Sequence, residues 1–181
     1  MRKKIVYGFI GVIGSGKDYT ASLIKKGYEG KRIAEFDFSD GVREVTYQRL
    51  GIEPPEDYRK WKETEIQGKK GREWLEYIGE GVRELLPTFW ADLCGDKAEK
   101  LADESDVFIF GSVRNEVEAS RVIKFAENNG FELKFIFTNY KSEFYEIRDN
   151  SSEHFAQKFL SMGFDNLDDI TEKVKEVCRN F

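Results

Sequence analysis

The chain has 181 residues, a net charge of −5, two cysteines and one histidine. That length suits one domain with a substantial core and is short for two. The acidic balance excludes the broad basic face that grips a nucleic-acid backbone, so no nucleic-acid polymer is expected as a partner; Cys94, Cys178 and His154 stand too far apart in the chain to suggest structural zinc, and a reducing compartment is the simpler reading.

In chain order, "MRKK" and the apolar run "IVYGFIGVIG" come first. No small-residue cleavage site follows and the run leads into a lysine, so a signal peptide is not expected. Nothing approaches the roughly 20 apolar residues of a membrane span, so no membrane partner and a cytoplasmic location are expected. Strand-length apolar runs fall at 4–10, 32–38, 106–111 and 132–137, and helical periodicity at 17–27, 40–50, 56–66, 71–85, 88–103 and 115–129. The tail "NLDDITEKVKEVCRN" reads as a capped amphipathic helix with Ile170, Val174 and Val177 on one face. This alternation predicts an α/β fold, with a mainly parallel sheet covered by helices on both faces. Residues 51–73 are the most polar stretch and read as an exposed excursion of a single domain, 1–181.

The first strand runs into "GVIGSGKD", Gly11–Asp18. Gly11, Gly14, Ser15 and Gly16 followed by Lys17 match a phosphate-binding loop, whose inward N–H groups and following helix N-terminus make an anion cradle. Lys17 is expected to reach the β- and γ-phosphates of ATP. Asp18 stands where a hydroxyl residue normally meets Mg²⁺, and a carboxylate there is a harder ligand that adds negative charge. Thr20 points to a different side of the helix and is no obvious substitute.

Further on, Arg72, Glu76, Gly79 and Arg83 share one stripe of a helical wheel, about 100° from a second stripe of Leu75, Ile78, Val82, Leu85 and Leu86. Two guanidiniums facing a cleft suit a bound monophosphate; pairing of Arg72 with Glu76 on a solvated surface is the alternative. Arg43 lies beside Asp37 and Asp40, where an acceptor could dock or Asp40 could simply cap a helix. Arg114 directly follows the third strand, at the ligand edge, and either touches a phosphate or pairs with Glu118 on the surface. Phe89 and Trp90 wall a base pocket or belong to the core. His154 reads as an exposed residue.

With these residues in place, the chain resembles the phage-type deoxynucleoside monophosphate kinases of the P-loop kinase superfamily. The resemblance runs through "GSGKD", "FSDGVREV" (38–45), "GREWLEYIGEGVRELLPTFWADL" (71–93), "VRNEVEA" (113–119) and "RDNSSEHF" (148–155). It implies a P-loop kinase three-layer sandwich with a helical acceptor-binding insertion at about 40–92 and a small lid at about 139–156. It also implies transfer of the ATP γ-phosphoryl to a nucleoside monophosphate, with ATP and Mg²⁺ as cofactors. Lys17, Arg114 and Arg148 would act on the transferring group, Gly11, Gly14, Ser15, Gly16, Lys17, Asp18 and Tyr19 would hold the donor, and Arg43, Arg72, Glu76, Arg83 and Trp90 the acceptor. Asp18 would be the metal ligand. Expected partners are small-molecule nucleotides and, as an open possibility, a second copy of the chain. The sequence departs from the family at Tyr19, often Thr, at Glu76, where an amide is usual, and at Gly111 and Ser112, where an acidic residue normally follows the third strand. A kinase with a non-nucleotide phosphate acceptor and a catalytically impaired nucleotide-binding protein are the two competing expectations.

Overall fold

The computed structural model describes residues 4–142 and 151–179. Four strands, β1 (Ile5–Ile10), β2 (Ile33–Phe36), β5 (Val107–Phe110) and β6 (Glu132–Phe137), form one sheet in the order β2-β5-β1-β6, with all three pairings parallel. Ile5 stands beside Val107 on one side and Glu132 on the other, which brings the carboxyl ends of β1, β5 and β6 to one edge.

Strand alternation divides the apolar residues between two layers. Val6 and Ile10 of β1, with Phe108 and Phe110 of β5, face the larger core with Phe125, Phe155, Phe159 and Val174. Ile5, Tyr7, Phe9, Val107 and Ile109 face the other side, where Ala21 and Ile24 of helix α1 (Lys17–Gly27) cover them. Burying both faces is what near-continuous apolar strands require. The larger layer is built by α5 (Phe89–Lys100), α6 (Glu116–Asn128), α7 (Ser151–Ser161) and α8 (Thr171–Val177).

The excursion forms a third cluster of its own. Tyr47 and Leu50 of α2 (Ser39–Leu50) pack with Trp61 of α3 (Tyr58–Glu63), and Trp74 and Leu75 of α4 (Gly71–Leu85) lean on them. The helix expected over 56–66 stops at Glu63. Its last residues instead enter a two-stranded antiparallel hairpin, β3 (Glu65–Ile66) and β4 (Lys69–Lys70). Gln67 and Gly68 both turn through positive φ, 51° and 80°, which is the backbone of a tight hairpin and cannot continue a helix. The expected apolar stripe of α4 is only partly covered: Leu75, Ile78 and Val82 are half-buried, while Leu85 and Leu86 are exposed. α7 begins within the stretch expected as a lid and runs beyond it, to Ser161. Among the described residues no helix is long and apolar enough to cross a membrane.

Candidate phosphate-binding site

The loop Gly11–Lys17 links β1 to α1 at the carboxyl edge of the sheet. Gly16, at φ 86°, takes the left-handed region that favours glycine, and its left-handed turn starts α1 without a side-chain cap. Gly11 is required for a different reason: a methyl group there would lie 2.3 Å from Thr138 Oγ1 and 2.4 Å from Ser15 Oγ. Ser15 is fully buried and its hydroxyl lies 2.9 Å from that of Thr138. Its side chain therefore braces the loop, and its own N–H closes a turn on Val12 O at 3.2 Å. Tyr140 N–H donates to Ser15 O at 3.1 Å and Ser142 Oγ donates to Gly14 O at 2.7 Å, so the segment after β6 is stitched along the loop. Thr138, Tyr140 and Ser142 carried no signal in the sequence, because their partners lie more than 120 residues away.

Lys17 folds back over this loop, its Nζ donating to Gly11 O at 2.6 Å and Val12 O at 2.7 Å. Burial pulls its ammonium down to about 8, and the charge of Arg114 adds to that; Glu153, Asp18 and Asp37 oppose it. Lys17, one further cation and three carboxylates thus lie within one another's electrostatic field, although they come from four separate stretches of chain. Asp18 and Tyr19 stand exposed on the first turn of α1, while Thr20 is buried.

At the end of β5 the backbone continues through Gly111 and Ser112, where an acid was sought. Gly111 N–H donates to Phe36 O at 2.9 Å, and the buried Ser112 hydroxyl accepts Arg114 Nε at 3.2 Å. This position thus orients an arginine. Glu118 is not the surface partner of Arg114 that the sequence allowed for. It is 5% exposed, and its carboxylate accepts the main-chain N–H of Arg114 at 2.7 Å while Asn115 Oδ1 accepts the N–H of Glu118, a reciprocal cap on α6.

Burial raises the Glu118 carboxyl from 4.5 to about 7, against the Arg114 guanidinium, its N–H and the Arg83 charge, and Asp37 pushes it up further. A group raised on folding contributes stability that is complete below pH 4.5 and is lost as pH rises through 7. The unfolding free energy of Glu118→Gln should therefore gain on wild type by about 3 kcal/mol between pH 4.5 and pH 8. Urea unfolding across that range checks this; parallel curves would mean that folding leaves the proton affinity of Glu118 unchanged.

The expected acceptor residues do not converge. Arg43 pairs with Asp40, lies 4.0 Å from Asp37, donates to Ser39 Oγ and covers the Tyr58 ring. Asp40 lies inside α2, whose N-cap is Phe38 without a side-chain cap bond; it accepts the N–H of Asp37, and Asp37 in turn accepts that of Ser39. Arg72 pairs with Glu63 of α3, with its Nε left without a hydrogen-bond partner, and Arg83 pairs with Glu80. These arginines share an azimuth on α4, but eleven residues put them about 16 Å apart along its axis, too far for one phosphate to sit naturally between them. Glu76 is exposed. Trp90 is buried and donates Nε1–H to Gly79 O at 3.0 Å, tying α5 to α4. Of the two arginines only Arg83 bears on the Glu118 carboxyl, holding it down by its charge. Near Asp37 and Asp40 there is a cavity of about 20 Å³, room for one water. Arg148 and the middle of the expected lid, 143–150, lie outside the described residues; its described ends are tied to the phosphate loop and, through Phe155 and Ala156, to the core. His154 is exposed, as expected.

Among the described residues no three His, Cys, Asp or Glu side chains gather as a metal cage. Magnesium at a phosphate site typically needs only one or two carboxylates, with phosphates and waters completing its shell. Asp18 and Asp37 both bear on the Lys17 ammonium through their charge, and Asp37 also accepts from Ser39.

No family model matches the chain, and no curated protein matches it. Among solved structures it is similar to the Mycobacterium tuberculosis APS kinase CysC in complex with AMPPNP and APS, at 14% identity and a TM-score of 0.45, covering 98% of this chain and 96% of that one. It is similar also to a cysteine-to-alanine mutant of the same enzyme, at 14% identity and a TM-score of 0.44, covering 88% and 97%.

Proposed function

We propose that the chain is an ATP-dependent kinase that transfers the γ-phosphoryl group to the phosphate of a nucleoside monophosphate, with deoxynucleotides as the preferred acceptors. The observation that carries this reading is Lys17, poised on the carbonyls of Gly11 and Val12 with Arg114 acting on it from the neighbouring strand end. Such transfer needs positioning and charge neutralisation more than covalent catalysis, because the acceptor phosphate is already an anionic nucleophile. Loop amides and Lys17 would hold the donor phosphates. Arg114, oriented by Ser112, would face the transferring group, and Arg83 would meet the acceptor; Arg72, Arg43, Glu76 and Trp90 would shape the acceptor side from further off. Arg148 keeps the role that the family resemblance gives it. Asp18, aided by Asp37, would hold Mg²⁺, whose charge when bound spreads the negative charge of the phosphates.

The deoxynucleotide preference rests on the likeness of "GSGKD" and the following motifs to the phage-type kinases. A panel of ribo- and deoxynucleoside monophosphates, with ADP release followed by a coupled assay, tests it. The expected result is turnover on at least one deoxynucleoside monophosphate, above that on its ribose counterpart. Turnover only on a non-nucleotide phosphate would leave the kinase reading and remove the acceptor. One observation favours a second reading, a nucleotide-binding protein without catalysis: Gly111 and Ser112 offer no carboxylate at the end of β5. AMP-PNP binding with no turnover on any acceptor would select it.

A further inference from the structure

Glu153 stands on the first turn of α7, is 5% exposed and reaches across 140 residues of sequence to the phosphate loop. Its Oε2 accepts the main-chain N–H of Ile13 at 3.3 Å. Of the three carboxylates acting on the Lys17 ammonium it exerts the strongest pull. Lys17 is turned toward Gly11 and Val12, and Glu153 holds the next residue of the loop, Ile13.

An acid in the first turn of a helix complements the helix dipole, and that alone would account for a glutamate at this position. It does not account for a hydrogen bond to a different element, or for burial against the phosphate loop. Nor does α7 depend on this bond for its place. Phe155, Ala156 and Phe159 anchor it in the core, and Lys158 pairs with Glu116 of α6 at 3.7 Å.

We propose that Glu153 is a resident counter-anion of the phosphate loop: it holds the Ile13 N–H, next along the chain from the Gly11 and Val12 carbonyls that hold the Lys17 ammonium, and the terminal phosphate of a triphosphate would use both of these groups, so that a triphosphate binds only by displacing it. One N–H cannot serve two anions, and like charges that close repel. A diphosphate, whose phosphates lie deeper along the loop toward α1, meets this competition much less. Glu153 therefore lowers the affinity for triphosphate relative to diphosphate, and it keeps Lys17 compensated when the loop is empty.

This inference rests on the phosphate-loop reading above. Calorimetry with AMP-PNP and with ADP, at fixed magnesium, tests it. Glu153→Gln, which keeps the shape and an acceptor oxygen but removes the charge, should tighten AMP-PNP about tenfold and ADP by less than about threefold. Glu116→Gln, which removes a charge that contacts α7 on the side of α6, should change neither. Unchanged or weaker AMP-PNP binding in Glu153→Gln overturns the proposal, and so does equal tightening of both nucleotides, which would mark a diffuse charge effect. If the variant does not fold, the wild-type protein suffices: the side-chain carboxylate carbon of Glu153, followed by ¹³C NMR, should shift on adding AMP-PNP and stay nearly still on adding ADP, and an unmoved signal with both overturns it. Wild-type AMP-PNP affinity in Lys17→Met would instead show that the loop is no phosphate site, a separate failure that removes the underlying reading.

Discussion

Lys17→Met is expected to lower turnover by about a thousandfold or more while leaving the fold in place. The ammonium is half-buried and its hydrogen bonds go only to the carbonyls of Gly11 and Val12, so stability should change by no more than about 1 kcal/mol. The ammonium faces the position where the β- and γ-phosphates would gather negative charge during transfer, and preorganised charge of that kind is where catalysis of phosphoryl transfer lies. Steady-state kinetics beside a thermal melt separates the two effects. Full turnover in the variant would remove the kinase reading.

Arg114→Ala is expected to have the next largest effect, about a hundredfold in turnover, with the acceptor KM raised more than the donor affinity is weakened. The guanidinium is aimed by Ser112 Oγ, while the main-chain N–H of the same residue closes the α6 cap with Glu118. The cap survives truncation of the side chain, so the variant isolates the charge. Unchanged turnover would reduce Arg114 to a part of the α6 cap.

Much of this was legible in the sequence because it is local. The glycines and lysine of the phosphate loop fix where β1 ends and α1 begins, and α1 spans the expected residues, as α4 does. The sheet followed from apolar runs too continuous for a one-sided strand. The spacing of the α4 arginines was not legible, because a helical wheel keeps angle and discards rise, so Arg72 and Arg83 look adjacent while standing three turns apart. The hairpin at 65–70 was hidden in a polar run whose only sign was Gly68. Helix α7 was lost because its apolar residues Phe155, Ala156, Phe159 and Leu160 follow a stretch dominated by polar side chains. Glu118 and Glu153 show what sequence cannot carry. An acid four residues after an arginine reads as a surface pair, and only the packing of α6 reveals that it is buried; the bond from Ile13 to Glu153 depends on α7 being laid against the loop from the far end of the chain.

The central claim is that this loop delivers a phosphoryl group to another phosphate. Its most direct test is ³¹P NMR of wild-type protein mixed with ATP, magnesium and the preferred deoxynucleoside monophosphate. The account predicts that the β-phosphorus signal of a new nucleoside diphosphate grows in step with ADP, with no inorganic phosphate at early times. Inorganic phosphate appearing alone, or ATP left intact under conditions where AMP-PNP binds, would contradict it.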